Sequence, residues 1–229
     1  MGSAGQSCGQ VTATNFSRTV GNNLKKLNNK EKFVFYSSPE HWLQTSLELN
    51  ETIIELHIIS EKSHFYENYH PDEKEGIKRP FASRSIFLLM TYSLENLLKG
   101  IRILRDPNLV NKGRLSKDLK THELNRLTES TQIIINEKEK VFQEYLSKLC
   151  VANARYPIGL NENQQLKHPS IKEDDFKSYF TLFKNYRQIL VTEFNLKGWI
   201  SGLDCEKLNT KPGEFTFVIN PFYKPKLLK

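Results

Sequence analysis

The sequence predicts an all-α protein. It reads as an antiparallel helical bundle of about five helices, with a flexible N-terminal arm over 1–32, a helical domain over 33–200 and an irregular basic tail over 201–229. Three observations predict this. Apolar residues recur at three- and four-residue steps through several long segments. One of these, Phe81 to Leu104, is apolar around most of its circumference, so other helices must surround it. Helix start and stop signals bracket the segments, and polar stretches rich in glycine and proline separate them.

In chain order, residues 1 to about 30 are rich in Gly, Ser, Asn and Thr and have no sustained apolar period, the composition of an arm. Phe33, Val34, Phe35 and Tyr36 form a short apolar patch. Ser38 as N-cap and Pro39 at the first helical position then open a helix from about Pro39 to Lys62. Trp42, Leu49, Ile53 and Leu56 make one stripe along it, and Leu43, Leu47, Ile54 and Ile58 a second. Asn50 and His57 fall between the stripes, which favours His57 as a hydrogen-bonded core histidine over an acid or base in a cleft. From Ser63 to Pro80 the chain is polar and reads as a solvated loop; His64 and His70 have no companion ligands at a metal-binding spacing.

The central helix follows, with Phe87, Met90, Leu94, Leu97, Leu98 and Ile101 at helical spacing. At about 100° per residue, Arg84, Thr91, Glu95 and Arg102 fall close to one line, flanked by Asn96 and Lys99. A polar stripe on a buried helix is where function could sit. Asp106-Pro107 ends the helix. Thr121-His122-Glu123-Leu124 reads as a short helix start capped by Thr121. The next helix runs from about Gln132 to Asn153 and ends in Asn153-Ala154-Arg155-Tyr156-Pro157. Ser170-Ile171-Lys172-Glu173 has the capping-box form. It opens a helix in which Phe176, Phe180, Phe183, Arg187, Leu190 and Phe194 follow four-three spacing, with Arg187 interrupting an aromatic stripe. Glu214 to Ile219 reads as one short strand before the tail.

Lys and Arg total 33 against 26 Asp and Glu, a formal charge of +7, and the pI is about 9.2. This excess favours anionic partners, nucleic acid above all, although Lys211, Lys224, Lys226 and Lys229 place part of it in the tail. The three cysteines, Cys8, Cys150 and Cys205, have no CxxC spacing, which favours a reducing compartment and no structural zinc. No signal-peptide region opens the chain, and no apolar run reaches the roughly 18 residues of a membrane span. A soluble cytoplasmic protein, with no membrane partner, is expected. There is no glycine-rich phosphate loop, GxSxG or HExxH, and no cofactor is expected.

The order of these elements carries a resemblance. A long helix is followed by a buried one containing Tyr92-Ser93-Leu94-Glu95-Asn96-Leu97-Leu98-Lys99-Gly100, a short one opening at Thr121-His122-Glu123-Leu124, and one ending Ala154-Arg155-Tyr156-Pro157. Over roughly residues 39–195 this resembles the HEPN superfamily. The resemblance implies a small antiparallel bundle, commonly a homodimer, of the kind found in toxin–antitoxin and phage-defence systems, where many members are metal-independent RNA endonucleases. It also implies a nucleotidyltransferase-like antitoxin as a partner. The sequence departs from the family's usual Arg-x4-6-His pair: Arg155 is followed by Tyr156, Pro157, Ile158, Gly159, Leu160, Asn161 and Glu162, and the next histidine is His168.

Two functions are therefore open. As a ribonuclease, the protein needs a base for the ribose 2′-hydroxyl and a cation for the phosphorane. The resemblance assigns Arg155 the second role and leaves His122, the one histidine inside a family-like motif, for the first. Glu95 on the polar stripe is the third catalytic candidate and an expected partner of Arg155, since an unpaired carboxylate there would be costly. Lys99, Arg102, Asn96, Tyr156 and Arg187 are the substrate-binding candidates. The alternative is a non-catalytic HEPN-like interaction module that dimerises, or that binds RNA or a nucleotidyltransferase-like protein.

Overall fold

The computed structural model describes residues 27–67, 77–151 and 169–214. Six α-helices lie among them: α1 (Asn29–Tyr36), α2 (Pro39–Lys62), α3 (Ser83–Arg105), α4 (Leu124–Ser130), α5 (Glu137–Val151) and α6 (Glu173–Lys197). The all-α prediction holds. α3 is the hub and packs against α2, α4, α5 and α6. Its Ile86, Phe87, Met90, Leu94, Leu97, Leu98, Ile101 and Ile103 are fully enclosed. Gly100 lets α3 approach its neighbours closely, because a Cβ there would stand 3.1 Å from Leu190 Cδ2 and 3.2 Å from Trp42 Cβ.

Five local expectations are corrected. The chain becomes helical at Asn29, inside the stretch read as an arm, because Asn28 and Glu31 form a reciprocal capping box. The stretch after α2 is not wholly loop: β1 (His64–Glu67) and β2 (Ile77–Pro80) pair as an antiparallel hairpin. α5 begins at Glu137 rather than near Gln132, which sits at φ +57° outside helical geometry. There Asn136 and Glu139 close the reciprocal box. α6 begins after Lys172, whose N–H donates to Asp175 at 2.8 Å, so the Ser170 box does not form. Thr121 likewise lies outside α4, although its hydroxyl accepts a hydrogen bond from the Glu123 N–H at 3.1 Å.

The core extends past residue 200. Trp199 is buried and its indole N–H donates to Ile103 O at 3.2 Å. Trp199 and Thr210 pair through both backbone N–H groups at 2.8 Å, and Leu208 is buried beside them. Gly198, at φ +64°, makes the turn into this segment, where a Cβ would stand 2.2 Å from Thr210 O. The strand read over 214–219 lies outside the described residues beyond Glu214.

The buried face of α2 carries polar residues between its apolar stripes. Ser46 and Ser93 each donate to the other's carbonyl, at 2.8 and 3.1 Å, and the Tyr179 hydroxyl lies 3.0 Å from both Asn50 Oδ1 and Ser93 Oγ. These bonds fix α2, α3 and α6 in register. His57 is buried, as expected, with its ring 3.7 Å from that of Phe176. Its Nδ1 makes no hydrogen bond among the described residues, contrary to expectation, and Nε2 faces Glu173 at 3.7 Å.

Candidate functional site

The midpoint of α3 presents Tyr92 and Glu95 toward the segment that leads into α4. This segment is held down on both sides of His122. Leu119 and Leu124 are fully buried, the Leu124 N–H donates to Ser147 Oγ at 3.0 Å, and Arg102 Nη1 donates to Asp118 O at 2.9 Å. With its neighbours anchored, the side chain of His122 is laid against α3.

Glu95 Oε2 lies 2.8 Å from His122 Nδ1, and Glu95 Oε1 accepts from Lys99 Nζ at 2.5 Å. The carboxylate and the ammonium are nearly enclosed, at 8% and 7% side-chain exposure, whereas His122 is 42% exposed. Lys99 is charge-compensated by Glu95 one helical turn away and stands 5.8 Å from the centre of the Trp42 ring. The Tyr92 ring meets the His122 ring edge-on at 6.1 Å. An ionised carboxylate can only accept, so its contact calls for a proton on Nδ1, and in the neutral imidazole Nε2 is then the acceptor. A buried acid that fixes the tautomer of a half-exposed histidine is an arrangement that can move a proton.

Two of the three catalytic candidates, Glu95 and His122, therefore meet. Arg155 and Tyr156 lie outside the described residues, as does the expected Glu95–Arg155 contact. The substrate-binding candidates divide. Lys99 is held by Glu95 and serves the carboxylate rather than presenting its charge to solvent. Asn96 Nδ2 donates to Tyr92 O at 2.6 Å, and Arg102 is engaged with the Asp118 carbonyl. Arg187 does not interrupt the buried stripe of α6, which runs through Phe176, Tyr179, Phe183, Tyr186, Leu190 and Phe194; Arg187 flanks it, half-buried.

The tie between Lys99 and Glu95 was not drawn from the sequence, which assigned Glu95 to Arg155, although the i, i+4 spacing of Glu95 and Lys99 on one helix is a signal for it. Trp42 gave no such signal, since it reaches Lys99 only through helix packing. Among the described residues, no group of three or more His, Cys, Asp or Glu side chains could hold a metal ion, and no helix is long and apolar enough to cross a membrane. Comparisons with protein-family models, with curated proteins and with solved structures give no match.

Proposed function

We propose that this chain is a cytoplasmic HEPN-like protein acting on RNA as a metal-independent endonuclease of a toxin–antitoxin or phage-defence system. The observation that supports it is the Glu95–His122 contact at 2.8 Å. In this mechanism His122 Nε2 accepts the proton of a ribose 2′-hydroxyl while Glu95 holds Nδ1–H and stabilises the imidazolium that forms. The 2′-oxygen attacks phosphorus, the bond to the 5′-oxygen breaks, and that oxygen takes a proton from water as it leaves. The products are a 2′,3′-cyclic phosphate and a 5′-hydroxyl. Arg155 is the guanidinium proposed to stabilise the phosphorane.

The sequence also favours a second function. No histidine follows Arg155 before His168, so a non-catalytic module that homodimerises, or that binds RNA or a nucleotidyltransferase-like antitoxin, retains the same surface without the chemistry. Incubation of purified protein with labelled RNA separates the two. The endonuclease yields products with 2′,3′-cyclic phosphate ends, and Arg155→Ala and His122→Ala each slow their formation. Salt-sensitive RNA binding without cleavage identifies the module.

A further inference from the structure

The Glu95–Lys99–His122 group leaves a second set of charges unused. Between α3 and α4, Lys112, Arg114, Lys117 and Lys120 line a cleft of about 480 Å3, with Asp118 as its one acidic wall residue. All four basic residues are exposed, and among the described residues none of them forms an ion pair.

The backbone that carries them is anchored. Val110 and Leu119 are fully buried and Leu109 is 7% exposed. The Ser116 N–H donates to Leu109 O at 2.8 Å, and Arg102 ties the Asp118 carbonyl to α3. Four like charges gathered on a fixed loop repel one another, and an anion between them relieves that repulsion. Exposed cations around an open cleft contact a phosphate backbone without reading bases. The last of them, Lys120, is two residues from His122, whose neighbour Tyr92 offers a ring on which a base can stack.

We infer that this cleft holds the phosphate backbone of single-stranded RNA and leads the strand to the His122–Glu95 pair. This rests on the RNA function proposed above and assigns it a binding surface. The strand passes along Lys112, Lys117 and Lys120, and its next nucleotide lies over Tyr92 beside His122.

The test is fluorescence anisotropy with a fluorescein-labelled mixed-sequence single-stranded RNA, titrated with the full chain at several salt concentrations. The variant Lys112→Ala/Lys117→Ala/Lys120→Ala is compared with Lys138→Ala/Lys177→Ala/Lys184→Ala, which removes equal charge from exposed positions on α5 and α6. Circular dichroism melts confirm that both are folded. The cleft variant is expected to bind at least about tenfold more weakly, and its log–log salt slope to fall by about 2, the value for three lost phosphate contacts on a single strand. The control triple is expected to change affinity less than about threefold. Equal weakening by both triples overturns the cleft and leaves RNA binding standing. No RNA binding by the unaltered chain overturns both the cleft and the RNA function. Binding that depends on the cleft without any cleavage supports the cleft and removes only the endonuclease.

Discussion

Glu95 divides its two oxygens between Lys99 Nζ and His122 Nδ1, at 2.5 and 2.8 Å, and so joins a buried ion pair on α3 to a half-exposed imidazole from the α3–α4 segment. The carboxylate thus has a structural partner and a chemical one. Removing it strands a buried ammonium, and breaking a buried pair from one side costs about 3–5 kcal/mol. Glu95→Ala is therefore expected to lower stability by about that amount in urea titrations, and adding Lys99→Met to recover much of the loss. If Glu95→Ala costs less than about 1 kcal/mol, Lys99 reaches water once released and the pair is not the buried lock described above.

Leu94 lies one position before Glu95 and is fully enclosed in the core. Leu94→Ala leaves a cavity at the bundle's centre and is expected to cost about 2–5 kcal/mol. A loss below about half a kcal/mol in denaturant melts would place the core elsewhere.

Helical periodicity made the bundle legible. α2 and α3 begin and end within two residues of their predicted bounds because proline, serine and Asp106-Pro107 punctuate the apolar pattern. The polar residues of the α2–α3–α6 interface were harder to assign. Asn50 and His57 could be located between apolar stripes, but nothing local announced that Tyr179 would meet both Asn50 and Ser93 across the core. The site was half legible. Glu95 and His122 were each singled out, yet their contact spans 27 residues of chain and depends on how Leu119 and Leu124 seat the intervening segment. The basic cleft escaped notice because an irregular loop has no period, and its four charges converge only when Val110 and Leu119 are drawn inward.

His41 supplies a dependence of stability on pH. Its ring packs against Phe35 and Tyr36, its Nδ1 lies 2.8 Å from Ser38 Oγ, and burial pushes its pKa down from 6.5 to about 4. The folded state therefore binds the proton less tightly than the unfolded chain. The stability this contributes is present above pH 6.5 and is lost as pH falls toward 4. His41→Gln should flatten the dependence of Tm on pH across that window. The Arg105–Glu193 pair acts lower on the scale: hydrogen bonding to Arg105 holds the Glu193 pKa below 4.5, so its stabilisation goes only in stronger acid. If wild type and His41→Gln lose stability in parallel between pH 6.5 and 4, His41 is not the group responsible.

The role of Glu95 in the proposed cleavage can be separated from that of His122. With ionised Glu95 in place, the imidazole proton is held on Nδ1 and Nε2 is ready to accept. In Glu95→Gln the amide can donate as well as accept, so the tautomer is no longer fixed and the imidazolium loses its counter-charge. His122→Ala removes the base altogether and is expected to slow RNA cleavage at least about tenfold, within the 10² to 10⁴ range of general-base catalysis or just below it. Glu95→Gln should fall between that variant and wild type, with kcat reduced and KM little changed, because the cleft lysines that bind the strand are untouched. All three rates are expected to persist in excess EDTA. Cleavage that survives intact in both His122→Ala and Arg155→Ala, or that EDTA abolishes and a divalent metal restores, would refute the mechanism. A Glu95→Gln rate equal to wild type would leave His122 as the base but reduce Glu95 to the partner of Lys99.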